Sequence, residues 1–309
     1  MKIAFIEPGL HVCGGIRRIM ETSNRLVARG HTVVIFTPRG RPCTWLPHDS
    51  DIRRMADLER DTFDVVIFNL AEQYKYALVA KAPIKVFWVL AAEAEYKIPE
   101  IPIKALKQDF YFLANSKFVV KYIKKHRPDI DYAIPITPGG INPDHFKYVP
   151  AISKTKHVLY YGSARPWKGT TLIENALQGT KLSSLKMEGL GTPQNQLYHL
   201  YNTCNIYISA CQVEGFNFPI LEAMACGCPV VCTDDGGNQD FVKANVNALV
   251  VPRRVKSIRQ GILALTNDKD LQRRLRTEGL KTAQASKYDW NNVVAKVENL
   301  LLGQLENGN

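Results

Sequence analysis

Glu214 and Glu222 are the only charged residues in EGFNFPILEAMACGCPVV, residues 214–231. A carboxylate only accepts hydrogen bonds, and a pair of them suits the vicinal hydroxyls of a sugar. Pro219 fits the first turn of a helix, where its missing N–H costs nothing, and Gly227 fits the stop. The spacing therefore predicts a short helix over Pro219–Cys226, with Glu214 in the loop before it and Glu222 in its first turns. The main-chain N–H groups of Gly215, Phe216, Asn217 and Phe218 gather at the helix start, where the dipole favours anionic oxygen. Amide donors beside two acids fit a ligand that carries both phosphate and sugar diols. Two acids also repel a diphosphate, so cations must stand nearby. YYGSARPWKGT, residues 160–170, offers them. Arg165 can grip phosphate oxygens in bidentate fashion. Lys168 sits where a helix opens, a place the dipole disfavours for a cation, and this mismatch points to a ligand.

The elements that must position these groups alternate along the chain. KIAFI, TVVIF, DVVIF, IKVFWVL, FYFLAN and DYAIP read as strands in the first half, and HVLYYG, SLKMEG, IYISA, PVVCT and NALVVP in the second. Helical patterns lie between them at 16–29, 116–126, 169–177, 194–201 and 257–265. Apolar strands separated by helices mean parallel sheets covered on both faces. Residues 135–156, rich in Pro and Gly, read as a linker. The expected architecture is α/β: two facing Rossmann-like, doubly wound domains with a deep interdomain cleft, the first spanning 1–148 and the second 149–288. A last helix over 289–302, capped by Asp289, is expected to return to the first domain. Ligands of such sheets bind beyond the C-terminal ends of the strands.

The net charge of +11 is spread evenly, +6 over residues 1–150 and +5 over 151–309. Such a field suits an anionic ligand or lipid surface; no nucleic-acid motif appears, and no nucleic-acid partner is expected. Seven cysteines, an odd count in apolar surroundings, favour a reducing compartment and a cytoplasmic location. Cys226, Cys228 and Cys232 lack metal-ligand spacing and read as core. DSD at 49–51 and DID at 129–131 match a metal-binding pattern only in spelling, so no metal site is expected. The opening MKIAFIEPGL is too short in its apolar run for a secretory leader, and no run is long enough to span a bilayer. SKFVVKYIKKHR, 116–127, stays open between two readings: a surface helix with its apolar face in the core, or a peripheral contact with an anionic membrane.

On these residues the chain resembles the retaining glycosyltransferases of glycosyltransferase family 4, which have the GT-B fold. The resemblance rests on G-x5-K-G at 162–169, the E-x7-E block at 214–231, DGGNQDFV at 235–242 and NALVVP at 247–252. The first half is similar more weakly, through Gly14-Gly15, the following Arg17, ANS at 114–116 and PGGINPDHF at 138–146. The resemblance implies a transferase that moves a sugar from a UDP- or GDP-linked donor to a glycan or lipid-linked acceptor, without metal or other cofactor. It places Glu214 beside the transferred sugar and Glu222 on the ribose hydroxyls. The amides of Phe216–Phe218 meet phosphate, Arg165 and Lys168 meet the leaving diphosphate, and Gly162, Gly14 and Gly15 allow close approach.

The sequence departs from the family pattern in three places. Ser163 stands where an arginine is usual, and Arg165 is read as its replacement. The stretch between 170 and 204 is short by one strand-helix unit, in the region that shapes the base pocket. Where a histidine is usual after the fourth strand of the first domain, Glu93 and Glu95 stand instead, as acceptor-orienting groups or as solvated loop charges. His11 and Arg17 are further acceptor-side candidates. Two other functions fit the same residues: a sugar-nucleotide epimerase of GT-B fold, and a non-catalytic nucleotide-sugar binder. A dinucleotide-binding dehydrogenase does not, because EPGLHVCGG lacks the G-x-G-x-x-G spacing.

Overall fold

The computed structural model describes residues 1–95, 100–188 and 194–307. The chain divides into two compact units, Met1–Gly140 with Trp290–Asn309, and Ile141–Asp289. Each is built on a parallel sheet flanked by helices, the Rossmann-like plan of GT-B proteins.

In unit 1 the strands are β1 (Lys2–Ile6), β2 (Thr32–Thr37), β3 (Asp51–Arg54), β4 (Val65–Phe68), β5 (Ile84–Val89) and β6 (Tyr111–Ala114), in the order β3-β2-β1-β4-β5-β6. The helices are α1 (Gly14–Ala28), α2 (Tyr74–Val79), α3 (Glu100–Leu106) and α4 (Lys117–His126). The central strands are apolar on both faces because helices cover both: Ile3 to Ile6 and Val65 to Phe68 are fully buried. The order reverses between β1 and β4, which opens a crevice at their C-terminal ends.

Two strand expectations need correction. The strand read at DYAIP does not form. Only Ile136 bridges Ala114, Ala114 N donates to the Pro135 carbonyl (3.0 Å), and Pro135 has no N–H to extend the ladder. Conversely, DIRR forms edge strand β3, paired with β2 from Asp51 to Arg54. Its charged side chains face water and guard the edge against further pairing.

Unit 2 contains β7 (Lys156–Gly162), α5 (Thr170–Leu177), β8 (Ser184–Glu188), α6 (Gln194–Thr203), β9 (Cys204–Ser209), α7 (Phe218–Ala225), β10 (Val230–Cys232), β11 (Leu249–Val250), α8 (Val255–Asn267) and α9 (Lys269–Ala283). Its sheet order is β11-β10-β9-β7-β8. Between α5 and β9 there is one strand and one helix, and β8 forms the edge. Side chains alternate along the two central strands. Val158, Tyr160, Ile206 and Ile208 pack with α5 and α8; Leu159, Tyr161 and Tyr207 pack with α6 and α7. The ends of the unit meet, since Ile141 N donates to the Tyr288 carbonyl (2.7 Å) and Ile141 bridges Asp289.

The final helix, α10 (Trp290–Asn307), is part of unit 1 and packs on α1. Glu298 holds it there, accepting from Arg29 Nε and pairing with His31 Nε2, each at 2.6 Å. Gly140 lies against the Trp290 ring, where a Cβ would come within 2.4 Å of Cδ2.

The helix of α4 settles with its apolar face inward: Val119, Tyr122 and Ile123 are buried, while Lys117, Lys121 and Lys125 face solvent. Most of its apolar face is thus taken up by the core, with Phe118 and Val120 half-buried. No helix among the described residues is long and apolar enough to cross one. All seven cysteines are free thiols; Cys226, Cys228 and Cys232 are core residues, and burial raises the pKa of each. Among the described residues no group of three or more His, Cys, Asp or Glu could hold a metal ion.

Candidate functional site

The site is built from two loops at the C-terminal ends of β7 and β9. The first, 163–169, leaves β7 and makes a single tight turn over Pro166–Lys168 before α5. Ser163 N donates to Thr170 Oγ1 (2.9 Å), which ties the loop to the helix it precedes. Gly169 takes a left-handed conformation (φ 73°) against the Ala210 carbonyl, where a Cβ would lie 2.2 Å from the oxygen, so no other residue fits. Gln212 N donates to the Trp167 carbonyl (2.8 Å). Arg253 clasps both loops, donating from Nε to Ala210 O (2.9 Å) and from Nη2 to Pro166 O (3.1 Å).

This anchoring sets Lys168 against the second loop, 210–217. Lys168 Nζ forms an ion pair with Glu214 Oε1, and its ammonium lies 5.8 Å from the centre of the Tyr161 ring. The two side chains are only 22 % and 20 % exposed. Burial, the largest single effect, would lower the lysine pKa, but the Glu214 charge and hydrogen bond, with Cys211 and Tyr161, together outweigh it and the net shift is upward. Lys168 therefore stays cationic.

The Glu214 loop is itself held by DGGN. Glu214 N donates to Asp235 O (3.0 Å), and Gly237 packs so closely that a Cβ would stand 2.4 Å from the Gly215 carbonyl carbon. Asn217, at the position before α7, lies in the left-handed region (φ 66°), which asparagine tolerates better than most residues, and its side chain turns away from the helix start. Its Nδ2 donates to Asp235 Oδ2 (2.6 Å) and Ser209 Oγ (3.1 Å). Asp235 is buried; burial and then the Glu214 charge push its pKa up to about 8, against the hydrogen bonds from Asn217 and Asn238. The sequence showed this aspartate inside a motif but gave it no role, and its contacts explain why it is there. Phe216 is a packing residue, 5.2 Å ring to ring from both Phe218 and Phe241.

Glu222, on α7, is buried on the same face. Tyr201 on α6 donates its hydroxyl to Glu222 Oε2 at 2.9 Å. Burial, reinforced by the Glu222 charge, drives the Tyr201 hydroxyl well above its usual pKa, so it remains a donor. Tyr207, fully buried, is shifted the same way by burial and then by Cys211, Glu222 and Glu214. Sequence patterning missed Tyr201, because nothing local to LYHLY marks one tyrosine as a carboxylate partner.

Arg165 parts from Lys168. It is exposed, its guanidinium 5.8 Å from the Trp167 ring centre, and it lines an open pocket of about 690 Å³ with Gly162, Thr170, Lys186 and Arg253. Lys186 is the register partner of Tyr160 and so belongs to the α5 side of the sheet, whereas Tyr161, beneath Lys168, belongs to the α7 side. The loop thus sends its two basic groups to opposite faces. Gly162 makes room for Lys186, whose Cε would lie 2.5 Å from an added Cβ.

In unit 1, Gly14 and Gly15 begin α1, capped by Cys13 Sγ accepting from Ile16 N (3.4 Å). Nothing crowds Gly15, where an added Cβ would meet Leu90 at 3.8 Å. His11 is exposed and Arg17 half-buried, but the neighbouring Arg18 is wholly buried. Arg18 Nη1 donates to Thr137 O (2.7 Å), the guanidinium stands 5.1 Å from the Trp88 ring centre, and burial pulls its pKa down to about 9. The two candidate acids after β5 diverge: Glu93 is buried, and Glu95 is exposed and paired with Lys125 (3.0 Å). The description of both as solvated loop charges therefore fails for Glu93. A further acid, Glu7, lies fully buried just past β1. It accepts from Asn69 Nδ2 (2.7 Å), its Oε2 has no hydrogen-bond partner, and burial pushes its pKa to about 8.

With this geometry in place, comparison with known proteins is informative. Residues 189–282 match the family model for glycosyl transferases group 1. The matched stretch carries Glu214, Glu222 and Asp235. The O-antigen chain mannosyltransferase B of Escherichia coli is 27 % identical over 154 residues, half of this chain and 39 % of that relative, so the chain spans well under half of the relative's length. Anabaena HepE, solved with UDP and glucose, superposes with a TM-score of 0.81 at 15 % identity, covering 98 % of this chain and all of that one. Sucrose-phosphate synthase from Thermosynechococcus elongatus gives 0.80 at 16 % identity over all of both chains. These two superpositions carry the GT-B fold.

Proposed function

We propose that the chain is a glycosyltransferase that moves a sugar from a nucleoside-diphosphate sugar to a hydroxyl of a glycan, glycolipid or small-molecule acceptor, with retention of configuration and without a metal. The observation that carries this reading is the Lys168–Glu214 pair, set by two anchored loops at the C-terminal ends of parallel strands. The family match, which covers the Glu214 loop but not the Lys168 loop, supports it.

In this reading Lys168 exchanges part of its bond to Glu214 for an oxygen of the donor diphosphate. As the glycosidic C–O bond breaks, negative charge grows on the leaving phosphate, and a fixed cation is worth most at that moment. Glu214, released on one side, accepts from a hydroxyl of the transferred sugar and steadies its oxocarbenium-like character. The amides of Gly215, Phe216, Asn217 and Phe218 meet phosphate and hydroxyl oxygens. Glu222, kept in place by Tyr201, takes the ribose hydroxyls. Arg165 is exposed on the other face of the loop from Lys168, so in this reading the diphosphate is met by Lys168 and the main-chain amides, and Arg165 is left to the open pocket on the α5 side. In unit 1, Gly14 and Gly15 are donor-side candidates, and His11, Arg17, Glu93 and Glu95 are the acceptor-side candidates. The workplace proposed for such a chain is the cytoplasm, where nucleotide sugars are made available.

A thermal-shift panel of UDP-, GDP-, ADP- and dTDP-sugars tests the donor, with UDP-glucose first because HepE was solved with UDP and glucose. Stabilisation by one nucleotide sugar, followed by an acceptor product whose anomeric configuration matches the donor, is the expected result. A stereoisomer of the donor formed without any acceptor would replace transfer by epimerisation. Stabilisation with no turnover for any acceptor would leave a binding protein.

A further inference from the structure

Seven large apolar side chains stand exposed among the described residues, and four of them are on α2 and α3: Tyr76 (44 %), Leu78 (42 %), Val79 (52 %) and Ile101 (44 %). In α2 only Ala77 is buried, so the helix rests on the sheet by one small residue and turns the rest outward. The two helices adjoin, because α3 packs on the Ala71–Gln73 turn that leads into α2, and Lys104, one turn beyond Ile101, lies near enough to Tyr74 to be influenced by it. An apolar cluster kept at the surface marks an interaction site.

The charge around the cluster is predominantly positive, with Glu72 and Glu100 the acids beside it. From Tyr74 to Lys85 there are three lysines and no acid. Lys75 and Lys81 are exposed, and Lys85 donates from Nζ to the Leu78 carbonyl at the end of α2. On the neighbouring helix Glu100 is held by Lys104 (2.6 Å), and Lys107 is exposed. A second copy of this surface would set lysine against lysine across a two-fold contact. An anionic lipid surface meets both features at once, since lysine stems lie along apolar ground while their ammonium groups reach phosphate.

We propose that α2, with Ile101 of α3, docks the protein on an anionic bilayer. Tyr76, Leu78, Val79 and Ile101 enter the acyl boundary, and Lys75 and Lys81 meet the lipid phosphates. The proposal rests on the surface of unit 1 alone and does not depend on the sugar-transfer reading. It also places membrane contact on a different helix from α4, whose Val119, Tyr122 and Ile123 are buried.

The test is co-sedimentation of the full chain with vesicles of phosphatidylcholine alone and of phosphatidylcholine mixed with phosphatidylglycerol. Binding to the mixed vesicles only, weakened by salt, is expected. The double variant Tyr76→Ser/Val79→Ser should lose this binding with an unchanged melting temperature. Lys75→Gln/Lys81→Gln should weaken it by about 25-fold, roughly fivefold for each lysine. Absence of binding to either vesicle, or binding unchanged in both variants, overturns the proposal. So does a concentration-dependent dimer in sedimentation velocity that Tyr76→Ser/Val79→Ser dissolves, which would assign the surface to a second copy. Thermal stabilisation by nucleotide sugars should be the same in all these variants, which separates this outcome from that of the donor site.

Discussion

Lys168 Nζ and Glu214 Oε1 form a direct ion pair between two loops separated by 46 positions in sequence, each side chain about four-fifths shielded from water. The pair holds a cation and an anion ready beside each other, where a phosphate and a hydroxyl can compete for them.

Lys168→Ala removes the cation and leaves Glu214 shielded without its partner. Turnover with the donor identified by thermal shift should fall by about 100-fold or more, the usual loss when one stabilising group is removed from a developing anion. Steady-state kinetics decides it; a variant with full kcat would remove Lys168 from the reaction.

Glu222→Gln keeps the shape of the side chain and removes its charge. Donor affinity measured by calorimetry should drop about tenfold, corresponding to roughly one charge-assisted hydrogen bond. Tyr201→Phe acts differently. It strips a donor from a buried carboxylate and should cost about 1–3 kcal/mol of folding stability in urea unfolding. Equal stability of Tyr201→Phe and the parent protein would argue against the Tyr201–Glu222 bond.

Gly169→Ala asks a side chain to occupy a left-handed residue pressed on the Ala210 carbonyl. The strain should cost roughly 2–4 kcal/mol and should displace Lys168 with the turn. A lower melting temperature together with weakened donor binding is the expected pattern. An unaltered melting temperature would contradict the close approach.

Glu7 gives a pH signature. Its pKa rises from 4.5 in the unfolded chain to about 8 in the fold. Between those values the native state holds a proton that the unfolded state has released, so this group makes stability fall as pH rises from about 4.5 towards 8. Glu7→Gln mimics the neutral acid and keeps an acceptor for Asn69. Relative to the parent protein it should gain stability between pH 5 and pH 8, by up to about 4 kcal/mol. Parallel stability-versus-pH curves for the two proteins would rule this out.

Much of the fold was legible because parallel strands buried on both sides leave unbroken apolar runs, as in KIAFI and HVLYYG. What escaped had weak signals for physical reasons. Strand β3 is DIRR, a polar edge paired on one side only. Helix α9 turns inward with Gln272, Leu275, Gly279 and Ala283, mostly small or polar residues, and presents charge elsewhere. Its cap is Asp268 Oδ1 accepting from Leu271 N (2.8 Å), and the apolar stripe behind it is too thin to mark a helix. DYAIP misled because apolar composition cannot supply the ladder donor that Pro135 lacks.

The site divides in the same way. Glu214 and Lys168 stood out because each breaks a local preference, an acid among apolar residues and a cation at a helix start. Tyr201, Asp235 and Glu7 break none. Their partners come from other elements, so only the folded chain brings Tyr201 to Glu222, Asp235 to Asn217 and Glu7 to Asn69.

The main-chain bond from Ile141 to Tyr288 has a consequence for engineering. Because the two ends of the second unit lie side by side, that stretch can be excised as a cassette with neighbouring termini. It could be re-joined through a short linker, opened at a new point, or grafted as a single loop-like insert into another scaffold without stretching its own frame.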